Sequence, residues 1–427
     1  MIEEHQDENI PFAAQLTVTA ITNDREGAVT DILISYRPNA ILALGAVVFT
    51  LPAGFTANTN DTLNGTTLLS SQISNNGGRV TLGLTLDLLG LAQFDLLLKA
   101  KTLPTAGTYR FKAENTLLFL GSQGVAETDF EVETDSLAYV TNNIDSTVSV
   151  IRLLSATTVQ TITGITFPAG LIDTPSGGYV YVTNLLTNLV SVIDTATNTV
   201  VQSISVGISP IRLAVSPNGA FVYVVNRDSG TVSVIDTATN TVTATILVGN
   251  SINGAAITPS GTLLYVTDSI ENEVHVISTV TNTVIQTIQV GFSPIALAIT
   301  PNGQRVYVLN SGDSTITVIS TPTNTVVQTI TGIGASPQGI AITPSGNYAY
   351  ITSVNTNEVY VLDIATNTVT TTFPVGNGPI GIALSSDGTK GAVTNYYDGT
   401  VSAIDLLTNT VLHTITVGAG PFDVAVK

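Results

Sequence analysis

One unit of about forty-two residues recurs seven times over residues 136–427, and few folds accept a period of that length. In the third copy Ser209-Pro210 opens the unit and Pro217-Asn218-Gly219 breaks it. Tyr223-Val224-Val225-Asn226 and Thr231-Val232-Ser233-Val234-Ile235-Asp236 follow, and Asn240-Thr241-Val242 leads into a stretch ending at Gly249. The tyrosine recurs at Tyr139, Tyr181, Tyr223, Tyr265, Tyr307 and Tyr350, with Ala392 in the seventh copy and a one-residue slip before Tyr350. Val232, Val234 and Ile235 lie beside Ser233, and Val200, Gln202, Ile204 and Val206 beside Ser203 and Ser205, the near-alternation of half-buried strands. The breaks at 217–219, 228–230 and 236–240 hold glycine and asparagine, which accept positive φ, and aspartate, which caps its own turn.

Each copy therefore predicts four short antiparallel strands, the content of one propeller blade. A helical solenoid would need apolar positions three and four apart, which this β-branched sequence lacks. The first copy starts abruptly at Ser136-Leu137-Ala138-Tyr139, without the proline-containing strand that precedes every other tyrosine. That strand reappears at Gly418-Ala419-Gly420-Pro421-Phe422-Asp423-Val424-Ala425-Val426, which aligns with residues 207–215. The expectation is a ring of seven blades, closed by residues 418–426 serving as the innermost strand of the first.

Tyr139-Val140-Thr141-Asn142, repeated as Tyr181-Val182-Thr183-Asn184, together with the Val-Ser-Val-Ile-Asp and Thr-Asn-Thr-Val motifs, resembles the YVTN-type β-propeller repeat of prokaryotic surface-layer and other surface proteins. The resemblance covers residues 136–427 and implies a fold and a cell-surface setting. It brings no catalytic signature.

Over the first 135 residues the period disappears. Strand-like segments run at 15–21, 29–36, 46–51, 80–86, 94–101 and 108–114, separated by turn clusters such as 58–60 and 75–78, which predicts an all-β sandwich. Leu51-Pro52-Ala53-Gly54-Phe55, residues 94–101 and Ala106-Gly107-Thr108-Tyr109 resemble the Ig-like modules of bacterial surface proteins. The organisation expected is a flexible acidic segment at 1–13, an Ig-like β-sandwich at 14–135 and the propeller at 136–427.

Formal net charge is −18, shared evenly: sixteen acids and seven bases up to residue 135, fifteen and six beyond it. A field of that sign repels phosphate backbones and excludes nucleic acid as a partner. The longest apolar run, 41–51, is interrupted by Gly45 and Thr50 and is too short to span a bilayer, so no membrane insertion is expected. There is no cysteine, hence no disulfide framework, and no secretory leader pattern opens this sequence. The outermost strands, such as 200–206 and 326–331, carry few charged residues to guard their edges, which points to lateral packing into a homopolymeric layer or filament.

The three histidines, His5, His275 and His413, fall on unrelated positions, and no metal site is predicted from them. P-loop, dinucleotide and Gly-x-Ser-x-Gly signatures are missing, and no catalytic residue is assigned. In the inner-strand column Gly170, Gly254, Ala296, Gly339 and Gly381 are small, and Arg212 and Asp423 break the pattern. Those two, with Arg227, Asp228, Phe292, Tyr396 and Tyr397 on loops of the same face, are the candidate ligand-binding residues. Arg212 and Asp423 could equally pair with each other. Calcium is the one cofactor weighed, on Asn58-Thr59-Asn60-Asp61 and Asp194-Thr195-Ala196-Thr197-Asn198; neither has the spacing of a calcium loop, and the Asp-x-x-Thr-Asn motif reads first as a turn cap.

The function expected is that of a non-enzymatic, extracellular cell-surface or envelope protein with a structural or adhesive role, its propeller meeting a protein or cell-surface glycan. Two alternatives stand beside it. One is a lactonase- or lyase-like propeller enzyme acting on a small polar ligand at the channel, and the other is a protein-binding scaffold.

Overall fold

Every copy folds into a four-stranded antiparallel blade, and the third shows the pattern: inner strand Pro210–Val215, then Phe221–Asn226, Thr231–Asp236 and outer strand Thr241–Leu247. The structure, a computed structural model, describes residues 136–427 throughout. Ahead of them it describes residues 15–20, 29–37, 45–51, 57–58, 60–63, 66–67, 73–74, 79–83, 94–102, 107–117 and 121–132. The chain divides into two compact units, Met1–Asp135 and Ser136–Lys427.

Seven four-stranded sheets make up the second unit, and the first of them is completed from the far end of the sequence. Pro421–Val426 pairs antiparallel with Leu137–Asn142, setting Tyr139 opposite Ala425 and Val140 opposite Val424, so the ring closes as the repeat alignment predicts. The second and third strands of each blade are buried on both faces, because blade stacks on blade. Tyr181, Val190 and Val192 of blade 2, for example, pack with Leu213, Val222, Val224 and Ile235 of blade 3. Each such side chain contributes about 1.5–3 kcal/mol through burial.

The recurring tyrosine and asparagine are two halves of one tie. The Tyr139 hydroxyl donates to Asn198 Oδ1 of the next blade at 2.6 Å, and Tyr181, Tyr265, Tyr307 and Tyr350 repeat the bond to Asn240, Asn324, Asn367 and Asn409 at 2.5–2.7 Å. These asparagines also hold positive φ of 50–55° at the turn between the third and fourth strands, so one residue type satisfies the turn and the neighbouring blade. Both partners are lost together where blade 7 meets blade 1. Ala392 replaces the tyrosine, Ala156 replaces the asparagine, and Leu153 fills the seam with Val140, Ile151, Val401 and Val424.

The outer edges are less open than their composition suggests. In every outer strand the register skips one residue: Val192 faces Gln202 while Ile193 faces Val200, leaving Val201 as a bulge, and the same break recurs in all seven blades. A bulge twists the edge out of the flat ladder that a strand from another molecule would need. Gln160, Gln202 and Gln286 use this edge to bond the next blade, each side-chain amide reaching an asparagine carbonyl at 3.0–3.2 Å.

In the first unit the described strands are β1 (Gln15–Ala20), β2 (Val29–Arg37), β3 (Gly45–Thr50), β4 (Thr62–Leu63), β5 (Thr66–Thr67), β6 (Ile73–Ser74), β7 (Arg79–Gly83), β8 (Phe94–Thr102), β9 (Gly107–Leu117) and β10 (Gly121–Val132). They form two five-stranded sheets, ordered β1-β2-β8-β4-β5 and β10-β9-β3-β7-β6, with Ile34 of one and Phe49 and Phe111 of the other about 1% exposed at the core. The sandwich is thus as expected, but β10 and the short strands β4 to β6 were not foreseen. Residues 1–13, the turn at 75–78, residues 41–44, 53–55 and 133–135, and His5 lie outside the described residues.

Candidate functional site

The channel wall is built from the seven inner strands, and its chemistry follows from how closely they approach. A Cβ added at Gly170 would sit 2.3 Å from the Ile211 carbonyl oxygen of the next blade, and one at Gly339 would sit 2.3 Å from that of Ile380. Glycine there lets the threonine of the second strand bridge two blades: Thr352 donates to Ile380 O at 2.8 Å while its hydroxyl accepts the Gly339 N–H at 2.8 Å. Where valine or leucine replaces that threonine, at Val225 and Leu309, the glycine is also replaced, by Arg212 and Ala296. The inner strand then skips one residue in its pairing instead of two. Arg212 is therefore admitted by a local change of register.

Its guanidinium reaches across blade 2 and meets Asp423 of blade 1 at 2.7 Å. The same carboxylate oxygen accepts the Leu171 N–H of the intervening blade at 3.3 Å, and the Phe422 ring lies 5.2 Å beneath the guanidinium. With the two side chains only 19% and 13% exposed, each is engaged by the other, and three blades are tied together at the channel. Removing one partner leaves a part-buried charge uncompensated. Asp423→Ala should cost about 2–3 kcal/mol in urea unfolding of the full chain, because it orphans both Arg212 and the Leu171 N–H, whereas Arg212→Ala should cost less. Equal losses would show that the Leu171 bond adds nothing to the pair.

The remaining candidates lie on the loops of one face. Arg227 bonds Asp228 at 3.0 Å, and Asp228 also accepts the Ser209 hydroxyl at 2.5 Å; the hydroxyl and then the guanidinium hold its carboxyl below the usual carboxylate range. Phe292 rests over Gly312 with its ring largely exposed. Tyr396 and Tyr397 stand edge to face, centroids 5.5 Å apart, and Tyr397 lies against Gly378, where a Cβ would collide with the ring. The structure thus joins Arg212 to Asp423 and Arg227 to Asp228, and leaves Phe292 and Tyr397 projecting from the rim with Tyr396 half-buried.

The acidic turns are occupied by the backbone. Asp194, Asp236 and Asp405 each accept the N–H groups two and three residues on, at 2.8–3.1 Å, and Asp61 accepts the Asn58 N–H at 2.6 Å. Among the described residues no group of three or more His, Asp or Glu side chains is arranged to hold a metal ion.

One buried pair escaped the sequence reading. In blade 4 Asp268 and His275 replace the Asn and Ser or Thr that bond each other in five other blades, as Asn226 and Ser233 do at 2.9 Å. Burial pushes the Asp268 carboxyl up, but the N–H groups of Asn250, Glu271, Ile270 and Ser251 outweigh it and hold it below the usual range. His275 Nε2 lies 3.8 Å from Asp268 and 3.9 Å from Glu273, and Nδ1 is 3.2 Å from the Thr287 hydroxyl. The simultaneous change at both positions, which recurs as Ser353 and Tyr360 in blade 6, was the signal available in the sequence.

Residues 16–135 match the family described as biofilm surface layer A. Over 107 residues the chain is 54% identical to the biofilm-surface layer protein A of Bacillus subtilis strain 168, covering 25% of this chain and 59% of that protein. It is 48% identical over 102 residues to a protein of the same strain described as a candidate biofilm-surface layer protein B, covering 24% and 66%. The chain thus spans less than two thirds of the length of these curated relatives. A solved Bacteroides uniformis protein, described as a candidate 6-phosphogluconolactonase, is superimposable with a TM-score of 0.60 at 16% identity over 69% of this chain and all of that one, which shows the shared fold. The family described as lactonase, 7-bladed beta-propeller, matches residues 127–253 and 254–381, more than half of the chain. Behind an N-terminal domain of the biofilm surface layer A type, the chain therefore belongs to the lactonase family of seven-bladed β-propellers.

Proposed function

We propose that this protein is a structural component of an extracellular biofilm surface layer, in which the N-terminal domain places the chain in the layer and the propeller serves as an interaction platform. The observation that carries this reading is the 54% identity over 107 residues to a biofilm-surface layer protein. The propeller supports it through what its residues do: the Arg212–Asp423 pair and the tyrosine–asparagine ties hold blades together, and the capped turns hold the strands within a blade. The bulged outer strands disfavour edge-to-edge pairing of blades, which supports lateral packing through the N-terminal domain.

Negative-stain imaging of concentrated full-length protein tests this. Continuous films or two-dimensional arrays are the expected result, and arms with calcium and with chelator decide whether the acidic turns take part. Monodisperse particles at every concentration in both arms would refute the layer.

Family membership of the propeller favours a second reading, hydrolysis of a lactone at the channel, with Arg212 and Asp423 as binding or acid/base groups. A screen of sugar lactones would then show turnover that falls in both Arg212→Ala and Asp423→Ala. Turnover unchanged in either variant would remove that residue from the reaction.

A further inference from the structure

We propose that the propeller face formed by the loops entering each inner strand, and by the loops joining second to third strands, docks a basic polypeptide segment through a ring of apolar anchors. The inference rests on the reading of the propeller as an interaction platform and specifies which face and which chemistry.

Six of the seven blades each project one large apolar side chain from this face: Ile144, Leu186, Ile208, Ile270, Phe292 and Tyr397, all between 54% and 73% exposed. They do not come from a single alignment column. Ile144, Leu186, Ile270 and Tyr397 occupy the loop after the second strand, whereas in blades 3 and 5 that position holds Asp228 and Gly312. There the apolar residue moves to the facing loop, as Ile208 and Phe292. The two loops clasp each other in each case, Asp228 N–H to Ile208 O at 3.3 Å and Gly312 N–H to Phe292 O at 2.9 Å, so the anchor changes loop but keeps its place on the rim. The fold does not require this, since neither residue is buried by it. Blade 6, with Ala335 and Asn355, leaves one polar notch in the ring.

Charge selects the occupant. Asp145, Asp228, Glu271, Asp313 and Asp398 lie on the same loops, against a single arginine, Arg227, which is paired with Asp228. The other basic side chains of the propeller lie elsewhere: Arg212 inside the channel, and Arg152, Arg305, Lys390 and Lys427 at the strand ends of the opposite face. That face also exposes large apolar residues, Tyr179, Val280, Tyr348 and Leu407, but in four blades where the first face has six, with two of them only 39% and 40% exposed and without a uniform sign of charge. Apolar tips among carboxylates fit a partner that alternates apolar and Lys or Arg side chains, and they disfavour a second copy of this acidic surface.

The test is fluorescence anisotropy of a labelled Leu/Lys amphipathic peptide of about 18 residues against the full-length protein at ~50 mM and ~500 mM salt. Ile208→Ser, Ile270→Ser and Phe292→Ser combined should weaken binding at least about tenfold, because exposed anchors can be truncated without disturbing the core. Asp313→Asn with Asp398→Asn should weaken it several-fold and flatten the salt dependence. Asparagine keeps the acceptor oxygen that now binds the N–H of Phe292 and of Asn377 at 3.0 and 2.7 Å. Val280→Ser with Leu407→Ser on the opposite face should change nothing. The proposal is overturned if the unaltered protein ignores the peptide at low salt, if the triple variant binds as well as it does, or if only the charge changes matter. Protein that forms arrays yet ignores the peptide refutes this proposal alone; protein that binds the peptide but never arrays refutes only the layer.

Discussion

Removal of residues 418–427 is expected to abolish cooperative folding of the propeller. Blade 1 would lose its inner strand, exposing the ladder of Leu137–Asn142 and forfeiting the burial of Val424 and Ala425. Arg212 would lose its carboxylate, Thr141 the Asp423 N–H it now accepts at 2.9 Å, and Asn143 N–H the Gly420 carbonyl at 2.8 Å. Uncompensated buried groups and lost apolar burial together exceed about 5 kcal/mol, comparable to the whole stability of many domains. Thermal unfolding followed by circular dichroism should lose its sharp transition, or the truncated chain should be insoluble. Moving the same residues to a position just ahead of Leu137, joined through a Ser-Pro-Asn-Gly turn like that at 216–219, should restore the transition, since only connectivity has changed. A truncated chain as stable as the intact one would show that closure contributes little.

Alkaline pH should destabilise the propeller steeply once it passes the ordinary tyrosine value. Burial pushes Tyr181, Tyr265 and Tyr350 up to about 12 from an ordinary 10.0. A folded-state value above the unfolded one favours the neutral ring in the native state. The stabilisation is thus complete below pH 10 and is lost as pH rises towards 12, up to about 2.7 kcal/mol per ring. Urea midpoints between pH 9 and 12 should fall steeply above 10. Combined Tyr181→Phe, Tyr265→Phe and Tyr350→Phe should lower stability at pH 8 by about 1 kcal/mol per lost hydrogen bond and flatten the decline above pH 10. A midpoint that holds constant to pH 12 would contradict the burial of these hydroxyls.

Much of this was readable in the repeats because a propeller multiplies a local pattern. Pro-Asn-Gly and Asp-x-x-Thr-Asn each name a turn seen in the structure, and the strand displaced to residues 418–426 discloses closure without any coordinates. The N-terminal domain was less legible. It has no internal copy against which to align β10 or the two-residue strands β4 to β6, so its propensities were read once instead of seven times. Arg212 and Asp423 were legible as exceptions in a column, but whether they wait for a ligand or for each other was not.

The amino-acid order by itself determined the blade count, the strand periodicity and the closure, because the first two depend on residues near one another within a repeat and the third on aligning the repeats, which shows the strand missing from the first copy at residues 418–426. Tertiary structure alone decided that Arg212 spans a blade to reach Asp423, that every outer edge is bulged, and that apolar anchors on two different loops share one rim. Each of these depends on distances between residues separated by whole blades or by the local slip of one strand against another. Such distances are set by how the ring curves and packs, and no spacing along the chain encodes them directly.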